Sequence, residues 1–276
     1  MVEKTKELNP LGYKPVGKLL KSLAIPAIIA NLVNALYNVV DQIFIGQGIG
    51  YLGNAATNIA FPITTMCLAI GLTLGIGGAS NFSLELGKGF PEKSKHTAGT
   101  AASTLIIIGI ILCIVVRIFL EPLMIGFGAT DKILEYSMEY TGITSFGIPF
   151  LLFSIGVNPL VRADGNAKYS MIAIVTGAVL NIILDPLFMF VYNWGIAGAA
   201  WATVISQVVS ASLLLIYFPK FKSVKFSLND FIPQLHYLKR IISLGFASFI
   251  YQFSNMIVLV TTNNLLKIYG QNSIYG

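Results

Sequence analysis

Residues 26–46, PAIIANLVNALYNVVDQIFIG, decide the fold class of this chain. All but the last of them lie in an apolar run, Leu19–Ile45, which is longer than the about 20 residues that a helix needs to cross the ~30 Å hydrocarbon core of a bilayer. Because the run is continuously apolar and does not alternate, it predicts a membrane-spanning helix and not a strand of a β-barrel. Six further runs follow it: Ala55–Phe82, Thr97–Leu120, Ile133–Val161, Tyr169–Tyr192, Ile196–Phe218 and Leu238–Leu266. The sequence therefore predicts an all-α, polytopic membrane protein.

The composition of the chain agrees with this assignment. Of its 276 residues, 55% are apolar and only 11% are charged, and the mean hydropathy is +0.76. A soluble domain carries about 25% charged residues, and a disordered chain is far less apolar, so both classes are excluded. The net charge of +6 does not indicate nucleic acid as a partner, because the basic residues lie between apolar runs and form no patch on a soluble surface. The expected surroundings are a lipid bilayer.

The 18 Lys and Arg residues are distributed unevenly among the segments that join the runs. If the N-terminus is cytoplasmic, only Arg117, Lys132 and Lys267 fall on the outer side, and the others lie in or beside the inner segments. Membrane proteins concentrate Lys and Arg in their cytoplasmic loops. The pattern therefore predicts a multi-pass protein of the plasma membrane with its N-terminus in the cytoplasm.

The runs and the charges together divide the chain into four parts. We expect a cytoplasmic N-terminal tail (1–18), a six-helix transmembrane lobe (19–218), a basic cytoplasmic linker (219–237) and the first helix of an incomplete second lobe (238–276). Residues 18–42 align with residues 239–263 through a few identities, among them Asn34 with Asn255. This weak repeat fits the six-plus-six plan of many transporters, whose substrate sites lie between the repeats. The second lobe would then be truncated in this chain.

Charged groups inside the apolar runs are functional candidates, because an ionised carboxylate at mid-helix costs several kcal/mol in lipid. Two stand out: Asp41 in the first run and Asp185 in the fifth. Asp41 ends a helical stripe whose other members are the amides Asn31, Asn34 and Asn38. Such a stripe faces either a water-filled cavity or another helix. We expect Asn34 and Asn38 to line a substrate cavity.

Two further runs carry polar side chains on one face. Asn181 shares a helix face with Asp185, and Pro186 leaves a carbonyl one turn earlier without its N–H partner. Carboxylate, amide and carbonyl oxygens together suit a hard monovalent cation, whereas the carboxylate alone suits a proton. In the sixth run, Thr203 and Gln207 begin a polar stripe that either joins this site or packs between helices.

The depths of these residues predict a common level in the membrane. At ~1.5 Å per residue, four side chains lie about 8–10 Å inside the outer ends of their runs: Asp41, Tyr140, Asp185 and Thr203. If their faces converge, they form one polar chamber in the outer half of the bilayer. Glu135 and Glu139, which begin the fourth run, either rim this chamber or lie at the membrane interface.

Prolines and glycines mark weak points in the helices. Pro26 removes a backbone hydrogen bond from the first helix, and Pro149 and Pro159 do so in the fourth. The second run contains four glycines that allow close packing or bending: Gly71, Gly75, Gly77 and Gly78. These points serve either the static structure or helix motion.

At these residues the chain resembles the multidrug and toxic compound extrusion (MATE) family of transporters, most of all its MepA-like and DinF-like branch. The resemblance extends over essentially the whole chain and is carried by five segments: residues 26–46 quoted above, NIAFPI (58–63), LVRADGNAKYSM (160–171), NIILDPLF (181–188) and GIAGAAWATVISQ (195–207). It implies a fold of twelve helices in two lobes. It also implies antiport that exports cationic, amphipathic drugs in exchange for H⁺ or Na⁺, with no cofactor besides that ion.

The resemblance also implies roles for individual residues. Asp41, Asn181, Asp185 and Thr203 would couple transport to H⁺, or bind Na⁺ if that is the coupling ion. Cavity-lining roles would fall to Asn34, Asn38, Tyr140 and Gln207, and Pro26 would bend the first helix. The seventh run has Thr262 where the aligned first run has Asp41, so the acid is not duplicated. A complete cleft would need the missing C-terminal lobe.

Three alternatives to an antiporter differ in class. An intramembrane enzyme lacks sequence support, because no H-E-x-x-H motif is present and no His lies mid-span. Cys67 and Cys113 are unpaired in the sequence pattern and predict neither a metal site nor a disulfide. A flippase for lipid-linked intermediates would share the helix plan but would need a cationic central cavity. An inactive fragment of a MATE transporter is the third alternative.

Overall fold

The computed structural model describes residues 15–269, and every regular element within this range is helical. In chain order the α-helices of this range are α1 (Val16–Gly48), α2 (Tyr51–Gly87), α3 (Pro91–Ile118), α4 (Leu120–Gly126), α5 (Asp131–Thr144), α6 (Ile148–Ala163), α7 (Ala167–Pro186), α8 (Gly195–Tyr217) and α9 (Leu235–Tyr269). The all-α prediction is confirmed. Most of the predicted tail, with Lys4, Lys6 and Lys14, and the end of the segment 238–276 lie outside the described residues.

Seven helical segments of the described chain are long and apolar enough to cross a membrane. They coincide with the seven predicted runs, and α5 and α6 together form the fourth. Some extend beyond the predicted ends: α2 continues past Phe82 to Gly87, with Glu85 buried and its carboxylate 3.2 Å from the ammonium of Lys88. The short helix α4, between the third and fourth spans, was not predicted from hydropathy.

The fourth span is interrupted between α5 and α6 by a 3₁₀ turn, Ser145–Gly147. Pro149 has no N–H and therefore cannot continue the α-helical hydrogen bonding across this point. Arg117 of α3 covers the break: its Nη1 donates to the carbonyl of Gly142 at 2.8 Å, and its guanidinium lies 4.1 Å from the ring centre of Phe146. A side chain of a neighbouring helix thus provides a hydrogen-bond donor to a backbone carbonyl at the break.

The core of the lobe lies between α2, α3, α6 and α8. Helices α2 and α6 approach closely where glycines face each other, since a Cβ on Gly75 would lie only 2.6 Å from the carbonyl oxygen of Gly156. Buried aliphatic side chains fill the space around this contact: Leu74, Leu105, Leu152, Val157, Leu160 and Leu214. The close-packing role proposed for the glycines of α2 fits this arrangement.

Helix α9 packs along α2 through a second pair of glycines. Gly77 faces the backbone carbonyl of Ile241, and Gly245 faces that of Thr73, so closely that a Cβ on either glycine would overlap the opposite backbone. At its other end α9 reaches the loop after α4, where Lys267 Nζ donates to the carbonyl of Ala129 at 2.7 Å. The seventh span therefore lies against the six-helix lobe over much of its length.

The segment 219–237, expected to be a basic linker, folds onto one end of the bundle. Four phenylalanines pack edge to face or stacked, with ring centres between 5.1 and 5.6 Å apart: Phe218, Phe221, Phe226 and Phe231. Asp164, at the end of α6, is fully buried and accepts hydrogen bonds from the Tyr217 hydroxyl and from the backbone N–H groups of Lys222 and Ser223. A buried carboxylate thus fixes the start of this segment.

Helix α1 stands at the side of the lobe and packs mainly on α7. Of its residues only Ala30, Asp41 and Ile45 are buried. Its outward face carries large exposed apolar side chains, which include Leu32 and Val39. The attachment of α1 therefore depends on one narrow stripe, and Asp41 is its one buried charged residue.

Candidate functional site

Asp41 of α1 and Asp185 of α7 form the centre of the site. Both side chains are buried, with 7% and 0% of their surface exposed, and their carboxyl groups lie within hydrogen-bonding reach of each other. Asp41 reaches this position because it lies one turn before Ile45 on the stripe of α1 that faces inward. The structure therefore brings together the two acids that the sequence placed at one depth.

The pair is incompletely satisfied. Among the described residues, Asp41 Oδ1 and Asp185 Oδ2 are buried and have no hydrogen-bond partner. Two ionised carboxylates offer no donor to each other, and two like charges in a dry setting repel strongly. A proton or a small cation between the two groups would remove this repulsion.

Asn181 joins the pair to α8. Its Nδ2 lies 3.2 Å from Asp185 Oδ1 and 3.4 Å from Thr203 Oγ1. The hydroxyl of Thr203 is in turn within hydrogen-bonding reach of Tyr140 on α5. Four helices, α1, α5, α7 and α8, thus contribute side chains to one polar cluster, as the common depth predicted.

The oxygen atoms of this cluster determine which ions it suits. Besides the two unpaired carboxylate oxygens, the amide oxygen of Asn181 is buried without a partner. Carboxylate and amide oxygens are ligands for hard cations. The part of the chain that the structure describes contains no group of three or more His, Cys, Asp or Glu side chains arranged to hold a metal ion.

Gln42 is a member of the site that the sequence analysis missed. Its side chain is within hydrogen-bonding reach of Asp41, and its Oε1 lies 3.2 Å from the hydroxyl of Thr57 on α2. It was missed because it lies about 100° around the helix from Asp41 and so off the polar stripe. The only available signal was its position next to the acid in the sequence.

The end of α7 is distorted directly after Asp185. Pro186 is the last α-helical residue, and a π-helical turn, Leu187–Val191, follows it. Gly198 of α8 allows this wider turn to fit, since a Cβ there would lie 2.8 Å from the backbone of Phe188. Distorted turns of this kind often lie at functional sites, and here one directly follows the acidic pair.

A cavity of about 250 Å³ lies beside the polar cluster, between α1, α2, α6, α7 and α8. The polar residues of its lining include Asn31, Asn34, Asn158, Arg162, Asn181, Thr203 and Gln207. Apolar residues such as Leu68, Leu72 and Ile155 form much of its remaining wall. Of the predicted lining residues, Asn34 and Gln207 border this cavity.

The other predicted lining residues lie elsewhere. Tyr140 borders a smaller cavity of about 50 Å³, which it shares with Thr203 and Gln207. Asn38 lies outside both cavities, because its side chain is exposed and its Nδ2 donates to the carbonyl of Asn34 at 2.7 Å. Helical periodicity placed Asn38 on the stripe but could not show that its amide bonds to its own backbone.

The remaining predicted residues are Glu135, Glu139 and Pro26. Glu135 and Glu139 are exposed on α5 and border neither cavity, which fits the interface alternative. Pro26 lies inside α1, and its role as a bending point stays a prediction. Asn158 was not singled out from the sequence, yet it joins α6 to α7: its Nδ2 donates to the carbonyl of Ser170, and its Oδ1 accepts from the Ser170 hydroxyl at 2.8 Å.

Comparison with known proteins gives a consistent picture. The MatE family model matches residues 26–187. The multidrug export protein MepA of Staphylococcus haemolyticus is 25% identical over 280 residues, and MepA of Staphylococcus aureus strain NCTC 8325 is 27% identical over 277 residues. Each alignment covers 99% of this chain and 61% of the relative. The chain thus spans about 61% of the length of these curated relatives.

Solved structures show the same similarity. The MATE multidrug transporter DinF-BH, solved as a complex, superposes with a TM-score of 0.88 at 34% identity, over 94% of this chain and 58% of its own. A transporter of the MOP superfamily from Pyrococcus furiosus superposes with a TM-score of 0.86 at 30% identity, over 99% of this chain and 61% of its own. These similarities extend over nearly the whole described fold.

Proposed function

Because the chain belongs to the MatE family of multidrug and toxic compound extrusion transporters, we propose that it acts in multidrug efflux, as an antiporter that exports cationic, amphipathic compounds in exchange for H⁺ or Na⁺. The relatives named as multidrug export proteins support this assignment. The proposal concerns the full-length protein in its membrane, with a second lobe completing the cleft.

The buried pair of Asp41 and Asp185 carries the proposal. These carboxyl groups lie on different helices, within hydrogen-bonding reach, and each has an oxygen without a partner. A proton or Na⁺ between them would remove the repulsion and hold α1 against α7. Asn181 and Thr203 would complete the site, Asn181 through its unpaired amide oxygen and Thr203 through its hydroxyl.

Coupling requires that the ion and the drug favour different conformations of the protein. Helix α1 is suited to such a change, because it is attached through few buried residues and Pro26 interrupts its hydrogen bonding. The cavity that α1 borders is largely apolar with a few amides, as a site for amphipathic compounds requires. Ion binding would draw α1 toward α7 and so change the cavity that Asn34 and Gln207 line.

The topology belongs to the same proposal. Residues 19–218 would form the first lobe, residues 238–276 would begin the second, and residues 219–237 would link them on the cytoplasmic side. The tail 1–18 would then also be cytoplasmic, in a protein of the plasma membrane. The basic residues of the segments that join the helices support this orientation.

Replacement of Asp41 by Asn tests the function directly. In cells that express the full-length protein, Asp41→Asn should raise the retention of ethidium to the level of cells without the protein, because the ion can no longer neutralise a charge pair. Glu139→Gln is the matched control, since Glu139 is an exposed acid outside the site. Efflux by Asp41→Asn at the wild-type rate, at equal expression, would refute the proposal. Efflux from membrane vesicles with an imposed Na⁺ or proton gradient identifies the ion.

A further inference from the structure

Arg162 lines the 250 Å³ cavity, away from the acidic pair. It lies in the last turn of α6 and is half-buried. The sequence analysis counted it only as one of the basic residues of an inner segment. Its guanidinium is the one basic group among the described residues that line this cavity.

Among the described residues, Arg162 has no carboxylate as an ion-pair partner. Within the described part of the chain, no carboxylate oxygen lies within 4.0 Å of its guanidinium nitrogens. Asp164, two residues later, is occupied by the hydroxyl of Tyr217 at 2.8 Å and by two backbone N–H groups at 2.9 Å. Asn158, which also borders the cavity, is bonded to Ser170. The cavity therefore contains a cation with no anion to match it.

A guanidinium at a cavity wall is a strong recognition group for anions. Its planar N–H groups match a carboxylate in two parallel hydrogen bonds. The cavity also reaches Asn181, which contacts Asp185, and Thr203, which contacts Asn181. Along α7 the lining extends from Ile174 to Asn181, a distance of about 10 Å at the helical rise. One cavity is thus lined both by the guanidinium of Arg162 and by the polar residues next to the acidic pair.

We propose that Arg162 is an anion-binding residue of the substrate cavity and holds the carboxylate of amphoteric compounds, whose amine lies toward Asp41 and Asp185. The inference rests on the proposed efflux function and names the residue that would recognise the negative group of substrates with a charge of each sign. A purely structural role, in which Arg162 only offsets the carbonyl dipoles at the end of α6, would give no preference between ligands of different charge.

A matched pair of dyes separates these roles. Rhodamine 6G is an ethyl ester and a cation, and its hydrolysed free acid has the same ring system with an added carboxylate. Binding of both is measured by fluorescence polarisation with the full-length protein in phosphatidylcholine nanodiscs, which supply no anionic headgroup. Arg162→Gln should weaken binding of the free acid by at least about tenfold, the size of a charged hydrogen bond, and should leave the ester within about twofold.

Two further variants sharpen the result. Arg162→Lys should show an intermediate loss for the free acid, because a lysine keeps the charge but not the paired hydrogen bonds. Lys168→Gln is the control, since Lys168 is an exposed basic residue near Arg162 that does not line the cavity. This control should bind both dyes as the wild type does.

The outcomes that overturn the inference are distinct. Equal binding of the free acid by wild type and Arg162→Gln, equal weakening of both dyes, or binding of neither dye by the wild type would each refute it. Loss of free-acid binding when phosphatidylglycerol is added would assign the site to a lipid headgroup and refute the substrate role. If the difference in binding holds but neither dye is exported from cells, the anion site stands and the efflux function fails.

Discussion

Asn181 shows how much one side chain contributes to the site. A single amide on α7 contacts Asp185 and Thr203, and its own oxygen remains available. Sequence reasoning identified Asn181 because an amide four residues before a buried acid shares its helix face. It identified Asp41 and Asp185 because a carboxylate in a membrane-spanning run is energetically costly and is therefore a functional candidate.

Replacement of Asn181 by Leu should abolish efflux and lower stability. The change removes the amide that donates to Asp185, at a cost of about 1–3 kcal/mol for a buried polar group. Ethidium retention in cells and the thermal unfolding midpoint of the purified protein measure the two effects. Asn229→Leu is the control, because Asn229 is an exposed amide of the segment 219–237 that borders neither cavity, and it should change neither quantity. An Asn181→Leu protein with wild-type efflux would contradict the role given to this amide.

Sequence reasoning could not locate the ends of several side chains. Helical spacing places Asn34 and Asn38 on the same stripe of α1, yet only Asn34 borders the cavity of about 250 Å³, and the amide of Asn38 donates to the backbone of its own helix. Gln42 was missed because it lies off this stripe. Arg162 was missed because a basic residue near a helix end is explained by the excess of Lys and Arg in cytoplasmic loops. Periodicity gives a direction around a helix axis, but not where a long side chain ends.

Among the elements, α2 and α9 make a close backbone contact that the sequence did not predict. Hydropathy predicted both helices, because a continuous apolar run of this length forms a helix when it spans a membrane. It could not show which helices would touch, and the glycines of α2 were consistent with bending as well as with packing. The pair Gly77 and Gly245 resolves that choice in favour of backbone contact at this position.

Replacement of Gly245 by Val should separate α9 from α2. The added side chain would overlap the backbone of Thr73, and overpacking of this kind costs about 1–3 kcal/mol or more. Thermal unfolding of the purified protein should show a midpoint several degrees lower. Gly87→Ala is the control, because among the described residues no other part of the protein beyond its own helix turn and chain neighbours lies within 4 Å of the position its Cβ would take. Equal midpoints for Gly245→Val and wild type would rule out close backbone contact at this position.

At the scale of the whole molecule, the segment 219–237 shows packing that the sequence analysis did not address. Its composition predicted a basic cytoplasmic linker. In the structure its phenylalanines form a cluster continuous with the lobe core, and Asp230 is buried, with its Oδ1 3.2 Å from His96 Nδ1. Hydropathy averaged over a window hides such a cluster, because the aromatic residues alternate with charged ones.

Asp164→Asn should loosen this segment without unfolding the lobe. The change removes the charge that two backbone N–H groups and the Tyr217 hydroxyl share. Amide hydrogen exchange of residues 219–232 should become faster in the variant, while exchange within α2 and α6 should stay as in the wild type. Asp131→Asn, at the exposed start of α5, is the control. Unchanged exchange in residues 219–232 would show that Asp164 does not hold them.

The turn after α6 has a consequence for binding strength. Arg162 and Asp164 are two residues apart and serve opposite sides of the same turn, which closes through Gly165 at a φ of 87°. Because Asp164 is anchored to the backbone N–H groups of Lys222 and Ser223, the backbone that carries Arg162 is held in place. Preorganisation of this kind lowers the entropic cost of association, so in the proposed anion site this turn would contribute to affinity without touching the ligand.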